Sequence, residues 1–248
     1  MEKHMQTDFL KGKTAVVTGA SGGIGKYLCK KTASYGMNVV LVGRNIGKLQ
    51  ETAGLVIASG GTAFLCPGDL NDESFPETIV KTALKECGSI DVVINCAGVA
   101  QHSAFEEVTP DFFDRVMHAN VKAPYFLCQK ALPALRESEC ATIINIASVV
   151  AHKGYPQQSV YAASKHALLG FSKSLANEIY RDNIRVHVIS PGAVYTDMVA
   201  LARPDLSPEG MTLPQDIAEI AGFYLEHRMT DAVIDEIQVH RTNKEPFA

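Results

Sequence analysis

What most restricts the fold of this chain is a set of short runs that are apolar at successive positions. TAVVTG (14–19), MNVVLVG (37–43), IDVVINCAG (90–98), TIINIAS (142–148) and IRVHVISPG (184–192) are all of this kind. TAFLCPGDL (62–70) and VIDEIQVH (233–240) extend the series. A strand with one wet face alternates apolar and polar residues, whereas a strand apolar throughout is covered on both faces. Between the runs lie helical patterns: 23–36, an acidic stretch ending near Cys87, a long segment at about 111–137, then 159–181 and 214–227. Strands alternating with helices imply an α/β fold, a parallel sheet flanked by helices on both faces. No repeat, low-complexity tract or linker divides the chain, so residues 1–248 read as a single domain. The stretch at 194–213 contains Pro204 and Pro208 and runs into Pro214. It is long for a connection in such a fold and reads as a lid over a substrate site.

Composition removes several function classes. A formal net charge of −4 with no basic run argues against a nucleic-acid partner. The six cysteines have no C-x-x-C spacing, and no H-E-x-x-H occurs among the eight histidines. A disulfide framework and a metal site are therefore not expected, and a reducing compartment is. No apolar run reaches the roughly 18 residues that span a bilayer. MEKHMQTDFLKGK lacks the apolar core of a secretory signal. These features lead to the expectation of a cytoplasmic protein without a membrane partner, acting on a small molecule.

The first run leads directly into Gly19-Ala-Ser21-Gly22-Gly23-Ile24-Gly25 and then a helix. Glycines at a strand-to-helix turn let backbone N–H groups and the helix N-terminus approach a pyrophosphate. Any tight turn can use glycine, but this one stands in the first βαβ unit, where a dinucleotide site belongs. The spacing TGxxxGxG resembles that of the short-chain dehydrogenase/reductase family. Asn95-Cys96-Ala97-Gly98 is similar to the family's N-N-A-G, with Cys96 replacing the second Asn. Pro191-Gly192, Val194 and Thr196 resemble its P-G-x-x-x-T. Tyr161-Ala-Ala-Ser-Lys165 matches its Y-x-x-x-K, and Ser148 stands thirteen residues before the tyrosine. These matches are in order and cover nearly the whole chain.

The resemblance implies a Rossmann-type doubly wound fold that binds a dinucleotide. Gly19, Ser21, Gly22, Gly23, Ile24 and Gly25 would hold the pyrophosphate, and Asp69 with Leu70 the adenine. Asn95, Ala97 and Gly98 would line the cofactor cleft, and Pro191, Gly192, Val194 and Thr196 its nicotinamide end. It also implies a catalytic set of Asn120, Ser148, Tyr161 and Lys165. Tyr161 would exchange a proton with the carbonyl oxygen and Ser148 would bond the same oxygen. Lys165 would bind the nicotinamide ribose, and Asn120 would hold a water of a proton relay. The tail VIDEIQVHRTNKEPFA lacks the glycine pair that ends 3-oxoacyl carrier-protein reductases. It resembles the NADP-dependent 3-hydroxy acid dehydrogenases instead.

The Tyr161–Lys165 pair also makes physical sense by itself. Residues four apart share a helix face about 5–6 Å apart. Alone, the pair is an ordinary surface contact; its chemical reading is a phenol made acidic by a neighbouring ammonium. A free phenol titrates near pKa 10, so moving it to 7 takes roughly 4 kcal/mol. One positive charge about 4 Å away at an effective dielectric of about 20 supplies roughly that. Lysine alone is then expected to tune Tyr161 to neutrality. Ala162, Ala163 and Ser164 read as close packing.

Cofactor choice rests on the end of the second run. NAD sites carry an acid there for the ribose 2′-hydroxyl. Gly43-Arg44 stands in its place, and no acid occurs between Gly25 and Glu51. NADP is the expected cofactor and NAD the alternative. The competing functions are an NAD-dependent alcohol or sugar dehydrogenase and a non-catalytic dinucleotide-binding regulator. Lys122, Lys130 and Arg136 read either as solvated helix surface or as contacts for a carrier protein. Tyr125, Phe126, Leu168, Leu169 and Phe171 exceed what one sheet-facing stripe needs. They suggest a homo-oligomer, by family resemblance a tetramer, with a dimer as the alternative.

Overall fold

A computed structural model of the chain describes residues 7–202, 207 and 209–244. Seven strands form one parallel sheet: β1 Thr14–Thr18, β2 Asn38–Gly43, β3 Thr62–Pro67, β4 Val92–Asn95, β5 Thr142–Ile146, β6 Arg185–Pro191 and β7 Glu236–Val239. Their order is β3-β2-β1-β4-β5-β6-β7, with β1 hydrogen-bonded to both β2 and β4. The helices are α1 Gly23–Ala33, α2 Ile46–Ala58, α3 Phe75–Cys87, α4 Pro110–Met117, α5 Ala123–Arg136, α6 Ser159–Ile179, α7 Asp197–Ala202 and α8 Pro214–Glu226.

The runs that form β1, β2, β4, β5 and β6 are buried on both faces, as their pattern demands, while the edge strands β3 and β7 are partly exposed. Val17, Val39, Leu41 and Ile94 join Leu28, Leu49 and Ile217 in one core. Their neighbours Val16, Val40 and Val93 join Ile79, Leu127 and Leu135 in the other. Helix starts follow local chemistry. Pro76, Pro110, Pro124 and Pro214 occupy first-turn positions, where proline's missing N–H costs nothing. Asn45 caps α2 by accepting from the Lys48 N–H at 3.0 Å.

The expected helix at 111–137 is two helices joined by a π turn, His118–Lys122, with Asn120 inside it. An i→i+5 turn widens the helix locally and commonly marks a functional position. The α6 and α8 expectations agree with the structure to within two residues. In the supposed lid, Val194 bridges Thr212 and the Tyr195 N–H donates to the Thr212 carbonyl at 2.9 Å. The two ends of the segment thus meet, with α7 between them; residues 203–206 and 208 lie outside the described residues. Leu168 and Leu169 belong to the core, so they are not surplus surface residues. Lys122, Lys130 and Arg136 pair with Glu73, Glu77 and Asp182 respectively.

Strand order reverses between β1 and β4. In open parallel sheets the crevice beyond the carboxyl ends at such a switch point is where ligands bind.

Candidate functional site

The glycine turn occupies that crevice. Gly19 has φ +73°, and a Cβ there would meet the Ala97 backbone at 2.9 Å. A Cβ on Gly25 would lie 2.1 Å from the Gly19 carbonyl oxygen. The turn is therefore pressed against the end of β4 on one side and folded onto α1 on the other. Gly22, the residue before α1, offers no side-chain cap, and the first turn of the helix carries no acid. Open space surrounds a Cβ built on Gly22. Uncapped N–H groups beside open space, with no competing carboxylate, fit a bound pyrophosphate. Ile24 packs partly against the core below.

Two threonines hold this cradle. Thr18, the first residue of TGxxxGxG, accepts through Oγ1 from the N–H groups of Cys96 and Ala97 at 3.1 and 3.2 Å. Thr52 Oγ1 donates to the Ala20 carbonyl at 2.9 Å. Thr52 belongs to no local motif, and the Thr18 contact reaches across the sheet to the end of β4.

At the end of β2, a Cβ on Gly43 would lie 2.9 Å from Ser21 Oγ. Arg44 is exposed beside it. Asp69 follows β3 in a turn in which its carboxylate accepts from the Asn71 N–H at 3.0 Å. That bond chiefly holds its pKa below the usual range, with Arg44 and His118 adding to it. Leu70 packs partly against the core that holds Val16, Val40 and Val93.

The NCAG segment divides its duties. The Asn95 side chain turns into the fold, donating to Asn145 Oδ1 at 2.8 Å and to Cys128 Sγ at 3.3 Å. It does not face the cleft as expected. Burial pushes the Cys96 thiol up to about 12, so at neutral pH it is an uncharged neighbour of Lys165. A Cβ on Gly98 would meet Asn120 Oδ1 at 3.2 Å and Lys165 Nζ at 3.7 Å. Gly98 is thus the point where the end of β4 meets Asn120 and Lys165.

Asn120 is 1% exposed, and its side chain is fully engaged. Oδ1 accepts from the Val99 N–H at 2.7 Å, while Nδ2 donates to the Val99 carbonyl at 3.0 Å and to Ser164 Oγ at 2.9 Å. Its side chain therefore clamps Val99 and α6 and has no free donor for a water. Ser164, expected to be mere packing, is part of this clamp and donates to the Tyr161 carbonyl at 2.7 Å. Gln101, also 1% exposed, was not singled out in the sequence. Its Oε1 accepts from the Val160 and Tyr161 N–H groups at 2.9 and 3.4 Å, capping α6 at Tyr161. It lies 60 residues from Tyr161, so no local pattern could have revealed it.

Ser148 follows β5. Its Oγ accepts from the Val150 N–H at 3.3 Å and donates to the Pro191 carbonyl at 3.2 Å, which joins it to the Pro191-Gly192 turn. Lys165 Nζ donates to the Ile146 carbonyl at 2.8 Å and lies 5.8 Å from the centre of the Tyr161 ring. Burial brings the Lys165 pKa down to about 8. Burial likewise holds the Tyr161 phenol above its usual value, with the Ser148 hydroxyl pulling the other way. This corrects the sequence-based electrostatics: the lysine is farther from the ring than about 4 Å, and desolvation outweighs its charge. The protein alone does not bring the phenol to neutrality.

Ser148, Tyr161 and Gly192 line one cavity of about 710 Å³. Thr196 arches over the glycine turn, its Cγ2 lying 3.4 Å from where a Gly23 Cβ would be. Its Oγ1 caps α7 by accepting from the Val199 N–H at 3.3 Å. Val194 is buried in the core and does not line the cleft. Among the described residues no group of three potential metal ligands occurs, and none of the helices is long and apolar enough to cross a membrane.

This geometry has counterparts among known proteins. The short chain dehydrogenase family profile matches residues 13–207. The short-chain dehydrogenase/reductase FrzI of a Cladobotryum species is 34% identical over 234 residues, covering 88% of this chain and 90% of its own. The 3-oxoacyl-(acyl-carrier-protein) reductase FabG of Chlamydia trachomatis is 32% identical over 224 residues, covering 86% of this chain and 90% of its own. A metagenomic short-chain oxidoreductase solved in complex with NADP superposes with a TM-score of 0.82 at 31% identity, covering 95% of this chain and 100% of that one.

Proposed function

The chain belongs to the short-chain dehydrogenase/reductase family, and from that premise we propose that it interconverts a ketone and a secondary alcohol with NADP(H). The observation that carries this reading is the convergence of Ser148 and Tyr161 on one cavity, with Lys165 against the tyrosine ring. Bound NADP(H) supplies or takes up the hydride. The remaining work falls to the protein. In reduction the Tyr161 hydroxyl donates its proton to the carbonyl oxygen, and the burial that keeps the phenol protonated suits that role. The Ser148 hydroxyl, held at the cavity wall by Val150 and Pro191, turns its proton from the Pro191 carbonyl to the same oxygen and fixes its position. Lys165 remains cationic below about pH 8 and offsets negative charge developing on the phenol. Asn120 and Gln101 act through these groups as positioning residues. Substrates of the 3-oxoacyl or 3-hydroxy acid type fit this reading, and the similarity to a 3-oxoacyl reductase supports them.

NADP is preferred over NAD because no carboxylate stands at the end of β2, where Arg44 offers a planar fork to a 2′-phosphate. Ser21, packed against Gly43, leaves little room for an acid there. Within the 194–213 segment α7 serves as the lid, its Met198 and Val199 lining the cavity. The free thiols support a reducing, cytoplasmic setting. Tyr125 and Phe126 are 47% and 37% exposed and stack edge-on with each other, and Tyr125 also with Phe171. An aromatic face of this kind supports assembly with further copies of the chain, as a tetramer or dimer. Sedimentation showing only monomer at micromolar concentration would refute that part.

The central test compares NADPH and NADH oxidation on a ketone panel by the parent protein and Tyr161→Phe. Turnover should need NADPH and should vanish in the variant, while NADPH affinity stays within a few-fold. Tyr161→Phe turnover within tenfold of the parent would overturn the assigned proton donor.

A further inference from the structure

The cavity that holds Ser148 and Tyr161 has a wall of unusual charge. The loop after the Ser148 turn and the segment after β7 bring Lys153, Arg241 and Lys244 into its lining, and among the described residues no aspartate or glutamate lines it. Among the described residues none of the three is paired with a carboxylate. The acid of the adjoining strand, Glu236, is taken up by His152 Nε2 and Ser190 Oγ, both at 2.6 Å. A chain of net charge −4 has therefore placed three cations in the wall of this cavity, with no carboxylate partner among the described residues. A concave site lined by one sign of charge concentrates ligands of the other.

The wall is also held in place. Lys244 Nζ donates to the Tyr155 hydroxyl at 3.3 Å and lies 5.2 Å from the centre of that ring. The Gly192 N–H donates to the Val239 carbonyl at 2.6 Å, setting Arg241 beside the Pro191-Gly192 turn. Asn243 Nδ2 donates to the Glu209 carbonyl at 3.1 Å, which fastens the same segment to the far end of the supposed lid.

We propose that this wall is an anion subsite: the carbonyl substrate carries a carboxylate or phosphate group away from its reacting carbon, and Lys153, Arg241 and Lys244 hold it. The proposal rests on reading the cavity as a carbonyl-reducing site. Arg241 supplies a two-pronged contact and the lysines supply point charges.

Two measurements test it, in a buffer free of phosphate and carboxylate. The first compares kcat/KM with NADPH for 5-oxohexanoate, its neutral methyl ester and 5-oxohexyl phosphate. An anionic form should exceed the ester by about 10-fold or more, and the advantage should shrink as salt rises. Whichever anion wins identifies the group. Lys153→Gln, Arg241→Gln and Lys244→Gln should each lower the anion-to-ester ratio by roughly 10-fold, the size of one charge-assisted contact. The second is calorimetric binding of glutarate with NADP saturating, in the parent and in the three variants, where affinity should fall by a similar factor. Equal kcat/KM for anion and ester in the parent, or a ratio unchanged in all three variants, would overturn the subsite. Should no carbonyl compound be reduced at all, the reductase reading fails separately. Glutarate binding, present and lost in the variants or absent throughout, then decides the subsite by itself.

Discussion

Replacing Lys165 with methionine should make the fold more stable at neutral pH while removing its turnover. The lysine is 4% exposed, and burial brings its pKa from 10.5 to about 8. At about 1.4 kcal/mol for each pH unit, keeping that ammonium charged at pH 7 costs roughly 3 kcal/mol relative to the unfolded chain. Methionine fills a similar length without charge. It also leaves the Ile146 carbonyl without its 2.8 Å donor, at a cost of about 1–2 kcal/mol. The balance is a gain of about 1–2 kcal/mol at pH 7, or a few degrees in Tm for a chain of this size. The pH dependence follows from the direction of the shift. Between about pH 8 and 10.5 the unfolded chain holds the proton and the folded chain does not, so this contribution to parental stability rises with pH. Other groups titrate in that window, so the quantity to read is the difference between parent and variant. Urea unfolding of both proteins at pH 7, 8.5 and 10.5, without dinucleotide, measures it. The variant should lead at pH 7 and trail by pH 10.5, where the parent keeps a neutral lysine still bonded to Ile146. A variant less stable at pH 7, or a gap that ignores pH, would refute the claim that this site stores desolvated charge.

Other perturbations reach separate parts of the site. Gly25→Ala drives a Cβ to within 2.1 Å of the Gly19 carbonyl oxygen; fluorescence titration should show NADPH binding weakened by well over tenfold. Gln101→Leu removes the cap from Val160 and Tyr161, and urea unfolding should show a loss of about 1–2 kcal/mol. Its kcat should fall more than its KM rises, and Gln101→Glu, which keeps an acceptor, should restore part of the rate. Arg44→Ala should lower the NADPH-to-NADH ratio of kcat/KM by about tenfold, and Arg44→Asp should move it further toward NADH. An unchanged ratio in both variants would remove the end of β2 from cofactor choice. Asn120→Ala breaks the clamp on Val99 and Ser164; slower turnover with an unchanged pH profile would mark a positioning role, and a shifted profile a direct role in proton transfer.

Much of this molecule is local in origin. Doubly apolar runs such as TAVVT and NVVLV can only be satisfied by cover on both faces, so they dictate a parallel sheet wherever they occur. Gly19 and Gly25 are required by backbone approaches closer than any Cβ allows, and a glycine-rich turn between strand and helix is visible without coordinates. Tyr161 and Lys165 share a helix face through their spacing alone. What the sequence could not carry was the value of quantities summed over distant neighbours. The phenol and ammonium were expected to tune each other, yet the burial that surrounds both decides their proton affinities. Asn95 is expected from sequence to line the cleft and Asn120 to hold a relay water, but strand register turns Asn95 toward Asn145, and the π turn aims Asn120 at Val99. Gln101, Thr52 and the cations after β7 carry no motif; each matters because the fold brings it beside a residue dozens of positions away. Periodicity and turn chemistry depend on a few adjacent residues and survive in one dimension, whereas desolvation and side-chain direction depend on everything packed around a group, and only the closed sheet and its helices supply that.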